Sequence, residues 1–306
     1  MATPMTMSGV VFGDDRKLRP IWRAILYVLA VVVAIQVLFV AMNAVLGPPP
    51  PGPLPFDPLD LSLVEGVNLA AAVLVTGLFA WRERRRIDSY GLPVGRALNS
   101  PTFEGFLIGI LQSGLIALAM YAFGAMRIHG LALSGPGIAT SAAAWLGACL
   151  CIGIGEEYLF RGYLLQSLWK AVGFWPASIV IAAVFAGVHY LLKPGENAAD
   201  LIALVSFSLL CCYAVRRTGN LWFAVGLHVA YDFMQLFVIG TPNGGQIPFG
   251  RLFDSSFNGP AWLTGGSLGT EASWLACPLD LLAFAYIWWR FRGQPSFGPR
   301  DREPPT

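Results

Sequence analysis

Apolar residues in this chain fall into long unbroken blocks separated by short polar stretches, with none of the alternation expected of half-buried strands. A helix needs roughly 20 apolar residues to cross a bilayer. By that measure the blocks predict eight spans: Ile21–Leu46, Leu63–Trp81, Phe103–Phe123, Ser141–Trp169, Trp175–Leu192, Leu201–Val215, Leu221–Gly240 and Ala272–Phe291. The fourth is long and carries charge in its second half. The fold class expected is all-α, a polytopic membrane bundle of about eight transmembrane helices spanning residues 21–292. A cytosolic tail (1–20) precedes it and a disordered cytosolic tail (293–306) follows.

Composition agrees with the blocks. Of 306 residues, 56% are hydrophobic and 12% charged, about half the charged share of a soluble domain; mean hydropathy is +0.61. A soluble fold has no room to bury so much apolar surface. A net charge of +2 gives no footprint for a nucleic-acid partner. The five cysteines, Cys149, Cys151, Cys211, Cys212 and Cys277, lie in apolar runs without a CxxC pair. They read as small buried residues rather than a disulfide framework or zinc ribbon.

The connecting segments orient the bundle. With both termini cytosolic, seventeen of the chain's 20 Lys and Arg fall on the inner side; Arg127, Lys193 and Arg251 fall outside. That bias follows the positive-inside rule. The expected location is therefore a cell membrane, the bacterial inner membrane, crossed many times. The first outer loop holds Pro48, Pro49, Pro50, Pro51, Pro53 and Pro55, the composition of an extended polyproline spacer. The last outer loop, Thr241–Thr270, has the length of a lid, a binding segment or a plain surface loop. There is no internal repeat of the kind found in many transporters.

Ionisable groups inside spanning helices cost about 2.5–3.5 kcal/mol each on insertion scales and persist when paired or functional. The fourth span reads Gly153-Ile154-Gly155-Glu156-Glu157-Tyr158-Leu159-Phe160-Arg161. Glu157 and Arg161 share a helix face and can pair. Glu156 points about 100° away. Gly153 and Gly155 allow close approach of another helix. The fifth span contains Phe185 and His189. The seventh contains His228 and Asp232, four apart on one face. Helical rise puts Glu156 about 21 Å, His189 about 22 Å and His228 about 16 Å from the inner ends of their helices. They lie at similar depth, with His228 nearer the cytosol, which favours access from that side or laterally. His129 lies in an outer loop and reads as solvated. Asp280, after Pro278, reads as serving backbone groups freed by the proline or as pairing with Arg161. Glu65 and Asn68 read as interfacial.

Glu156, His189, His228 and Asp232 form a set that can activate water. A carboxylate in a low-dielectric pocket can act as general base near neutral pH. The same four side chains are candidate ligands for a divalent metal such as zinc, with a position open for water.

Three motifs in order, EExxxR (Glu156–Arg161), FxxxH (Phe185–His189) and HxxxD (His228–Asp232), resemble the CPBP (Abi) family of intramembrane proteases, related to type II CAAX prenyl endopeptidases. The stretch Arg82–Arg86, followed by Tyr90-Gly91-Leu92, is similar to that family's approach to its third helix. The resemblance covers about residues 103–240. It implies an eight-helix endopeptidase, labelled a metalloprotease, that cleaves a membrane-associated peptide or protein within the lipid bilayer. By position, Glu156, Glu157, His189, His228 and Asp232 would form the active site. Glu156 would be the base and His189 its assistant, with His228 and residue 232 stabilising the oxyanion. Glu157 and Arg161, with Phe185, would hold the architecture. An ionised Asp232 accepts hydrogen bonds but cannot donate them. It would be protonated, orient His228, or ligate a metal. Two other readings compete: a non-catalytic membrane immunity or scaffold protein, and a proton-coupled transporter using Glu156 and His189 as relay.

Overall fold

A computed structural model describes residues 11–12, 18–48, 55–193, 195 and 198–299. Its helices are α1 (Pro20–Leu46), α2 (Pro58–Glu83), α3 (Ser100–Ala122), α4 (Pro136–Glu157), α5 (Leu165–Val172), α6 (Phe174–Leu192), α7 (Ala198–Thr218), α8 (Trp222–Asp232), the short α9 (Ala261–Thr264) and α10 (Ala276–Phe291). Among the described residues, eight helical stretches are long and apolar enough to cross a membrane. Each coincides with one of the eight blocks. The fourth runs from Pro136 to Val172 as α4, a π-helical segment and α5. Pro20, Pro58, Pro101 and Pro136 start their helices in the first turn, where the missing N–H costs nothing. The Asp57 carboxylate caps α2 by accepting from Leu59 N at 2.8 Å.

α8 is the centre of the bundle. In its span 67% of the residues are buried, against 11% for α1, which stands at the rim. Glycines let neighbours reach the α8 backbone. A Cβ on Gly109 would lie 2.2 Å from Leu227 O, and one on Gly226 would lie 2.3 Å from Thr102 O. Substitution on either helix therefore forces α3 and α8 apart, as expected of small-residue contacts in membranes. Gly153 packs in the same way against Val229, and Gly155 against Leu69. The close approach expected of that glycine pair is real, and it fixes α4 between α2 and α8.

Both described ends of the chain lie at one end of the bundle. The opposite end carries a feature absent from the sequence expectation. Strands β1 (Met126–Leu131) and β2 (Phe253–Phe257) pair antiparallel, with an irregularity between Ile128 and Gly130. β1 is largely exposed, and His129 on it meets Ser256 Oγ at 2.8 Å, consistent with a solvated residue. The long last loop is tied down. Trp145 Nε1 donates to Phe249 O at 3.0 Å, Phe249 N to Phe56 O at 2.8 Å, and Leu252 N to Phe237 O at 2.7 Å.

The proline run 49–54 and residues 300–306 lie outside the described residues. Beyond α10 the chain folds back: Phe297 N donates to Arg216 O at 2.9 Å, and Arg217 Nη1 donates to Ser296 Oγ at 2.7 Å. All five cysteines are free thiols, and Cys149, Cys211 and Cys212 are buried.

Candidate active site

Three antiparallel segments bring the motifs together. α4 runs toward the termini end of the bundle, while α6 and α8 run away from it. One helical turn is about 5.4 Å, which sets His189 a turn beyond Phe185 and Asp232 a turn beyond His228, and the side chains fall into two layers. The layer nearer the termini holds Glu157, Arg161 and Phe185. The layer beyond it holds Glu156, His189 and Asp232. His228 bridges the two.

The first layer is dry. Glu157 and Arg161 are both 0% exposed and meet at 3.1 Å. Arg161 Nη2 donates to Ser208 Oγ at 2.7 Å, and the guanidinium lies 4.6 Å from the centre of the Phe185 ring. A charge this deep requires such partners. Glu157 Oε1 also accepts from His228 Nδ1 at 3.1 Å.

The second layer is open. Glu156 and His189 keep 20% and 21% of their side chains exposed. Glu156 Oε1 lies 4.0 Å from His189 Nε2, and Oε2 lies 3.8 Å from His228 Nε2. Asp232 Oδ2 is 3.6 Å from His228 Nε2. These separations exceed direct hydrogen bonds and suit a shared water. His189 Nδ1 is 2.9 Å from Phe185 O. A carbonyl only accepts, so Nδ1 carries the proton and a neutral His189 presents a bare Nε2 to Glu156. The His189 ring packs on Phe185 at 4.5 Å, and that of His228 against Phe207 at 5.0 Å. Each ring is held by packing and by a bond through Nδ1, leaving Nε2 free for chemistry.

The backbone changes within the first motif and at the end of the third. π-helical segments begin immediately after Glu157 (Tyr158–Leu164) and immediately after Asp232 (Phe233–Ile239). Wide turns of this kind occur mostly at functional sites.

A cavity of about 180 Å³ is lined by Glu65, Gln112, Glu156, His189, His228, Asp232 and Asp280, among others. All four residues expected to activate water face it. Glu157 does not line it; it stands behind His228 and orients the ring. Asp280 pairs neither with freed backbone nor with Arg161. It accepts from Gln112 Nε2 at 3.0 Å and also from Ser206 Oγ, because Arg161 is already committed to Glu157 and Ser208. Glu65 lines the cavity and accepts from Asn68 Nδ2 at 3.1 Å. The sequence reading missed Gln112, whose signal was an amide in the middle of an apolar helix. Its Oε1 is buried without a partner.

The donor types suit zinc. Among the described residues, no three His, Cys, Asp or Glu side chains are grouped so as to hold a metal ion.

Paired carboxylates and two oriented imidazoles thus meet in a cavity inside an apolar bundle. Residues 138–234 match the family model Rce1-like, type II CAAX prenyl endopeptidase Rce1-like. This stretch is about a third of the chain and contains all three motifs. The resemblance to CAAX-type proteases is supported over that stretch, and its eight apolar helices make the chain an integral, multi-pass membrane protein. No curated protein matches the chain.

Proposed function

We propose that the protein is an endopeptidase of a bacterial inner membrane. It would hydrolyse a peptide bond in a membrane-associated substrate with water activated by Glu156 and His189. The observation that carries this reading is the convergence of both Nε2 atoms, His189 at 4.0 Å and His228 at 3.8 Å, on the two oxygens of Glu156.

In the mechanism this supports, a water bonded to Glu156 and to the bare Nε2 of His189 attacks the scissile carbonyl carbon, and its proton passes to Glu156. The carbonyl π pair moves onto oxygen. When His228 carries both protons, Nδ1–H is bound by Glu157 and Nε2–H donates to that oxyanion. An oxyanion contact is typically worth about 2.7–4 kcal/mol of barrier. Asp232 Oδ2 stands 3.6 Å from His228 Nε2. As the tetrahedral intermediate collapses, the C–N bond breaks and the proton on Glu156 passes to the leaving amine. No step requires a metal.

The test is turnover of a quenched, membrane-partitioning reporter-peptide library by purified protein, with Glu156→Ala alongside. Cleavage that disappears in the variant supports the reading. No cleavage by either, when both are folded, favours a scaffold with retained motifs; equal cleavage by the two proteins removes Glu156 from the mechanism.

A further inference from the structure

The site has one closed side and one open side. Toward the termini end it is sealed: Tyr158, Phe160, Arg161, Tyr163 and Phe185 are all buried, and Tyr158 Oη donates to Ile87 O at 2.9 Å. Nothing peptide-sized passes through a layer containing a buried ion pair and four aromatic rings. Access from the side nearer His228, expected from helical rise, therefore fails. His228 is deep because it bridges to Glu157, not because the cavity continues beyond it.

Toward the opposite end the site widens. A second cavity of about 410 Å³ shares Glu65, Glu156 and His189 with the first. It extends to Lys193 at the end of α6 and to Asn243 and Gln246 of the last loop; Gln246 is exposed. Its flank lies between α2, which presents Leu61 and Asn68, and α6, which presents Val188 and Leu192. Leu192 is 79% exposed on the rim of the bundle. The opening is thus polar toward the loops and apolar toward lipid. At its edge Lys193 pairs with Glu271, which also accepts from Asn243 Nδ2 at 3.3 Å.

The charge distribution says which face this is. Among the described residues outside the buried layer, twelve Lys and Arg lie toward the termini side and three, Arg127, Lys193 and Arg251, toward the other, and the positive-inside rule assigns the richer side to the cytosol. We propose, resting on the peptidase reading above, that substrate reaches Glu156 from the non-cytosolic leaflet through the gap between α2 and α6. The substrate class is then a peptide segment displayed on that leaflet: an exported or membrane-anchored chain after translocation, with one apolar face. A cytosolic protein tail is not the substrate.

The test reads access directly and needs no peptidase activity. Gln246→Cys, His189→Cys and Arg292→Cys are expressed separately and exposed to a membrane-impermeant maleimide in spheroplasts, before and after permeabilisation. The unsubstituted chain, with its native cysteines, sets the background. Gln246→Cys and His189→Cys should react before permeabilisation, at least about tenfold faster than background, since thiol reactivity requires exposure. Arg292→Cys should react only afterwards. Asn68→Cys, on the wall of the second cavity, replaces His189→Cys if that variant does not fold. The reverse pattern overturns the proposal, as does a reactive Gln246→Cys beside a cavity thiol that stays silent until permeabilisation. A chain that labels as expected but cleaves no reporter peptide keeps its access face and loses the peptidase reading, so the two failures are distinguishable.

Discussion

Glu156 and Glu157 are adjacent in the chain and have opposite surroundings. Glu157 is fully buried and bonded to Arg161 and His228. Glu156 is partly exposed in a cavity and faces two Nε2 atoms beyond direct bonding distance. A helix turns about 100° per residue, so one carboxylate reaches the packed seam while the other reaches the cavity. The difference shows how an apolar bundle carries reactive groups. One layer pairs its charges and holds the rings; the next holds its polar atoms apart around a cavity.

Substitutions test that division, starting with the largest effect. Glu156→Gln should lower turnover of a reporter peptide by roughly 10²–10⁴-fold, the usual worth of a general base, with no loss of melting temperature in detergent. A large drop in melting temperature would move Glu156 into the structural layer.

Glu157→Gln should do the converse. Breaking a buried pair costs about 3–5 kcal/mol, read as a lower melting temperature. Glu157→Gln combined with Arg161→Met should recover much of that loss, because no uncompensated charge remains. A double variant no more stable than the single one would refute the ion-pair account.

Asp232→Asn sharpens the boundary between the layers. It removes a charge beside His228 and adds a donor, so the expected loss of turnover is smaller, on the order of tenfold, with KM little changed. A gain in turnover would show that residue 232 serves as an oxyanion donor. The smallest expected effect is that of a chelator, which should leave turnover unchanged. Loss on chelation restored by zinc would identify Glu156, His189, His228 and Asp232 as ligands after all.

Much of the site was legible because its residues are costly. In a chain so apolar, Glu156, Glu157, Arg161, His189, His228 and Asp232 stand out, and helical spacing assigns each to a face. The rest carried weaker signals. Glu65 lies close enough to a helix end to read as interfacial. Asp280 has partners, Gln112 and Ser206, that come from 168 and 74 residues away in the chain. Strands β1 and β2 are separated by α4 to α8, so their pairing has no local signature.

The sequence alone determined the eight spans and singled out the ionisable residues inside them. Those follow from the cost of placing polar groups in lipid and from the fixed pitch of a helix, which act on each segment by itself. Tertiary structure alone decided that Glu157 stands behind His228, that Asp280 binds Gln112 rather than Arg161, and that the cavity closes toward the termini and opens between α2 and α6. These depend on which helices meet. That is set by glycine-mediated contacts such as those of Gly109 and Gly226, where a missing side chain lets two distant backbones touch.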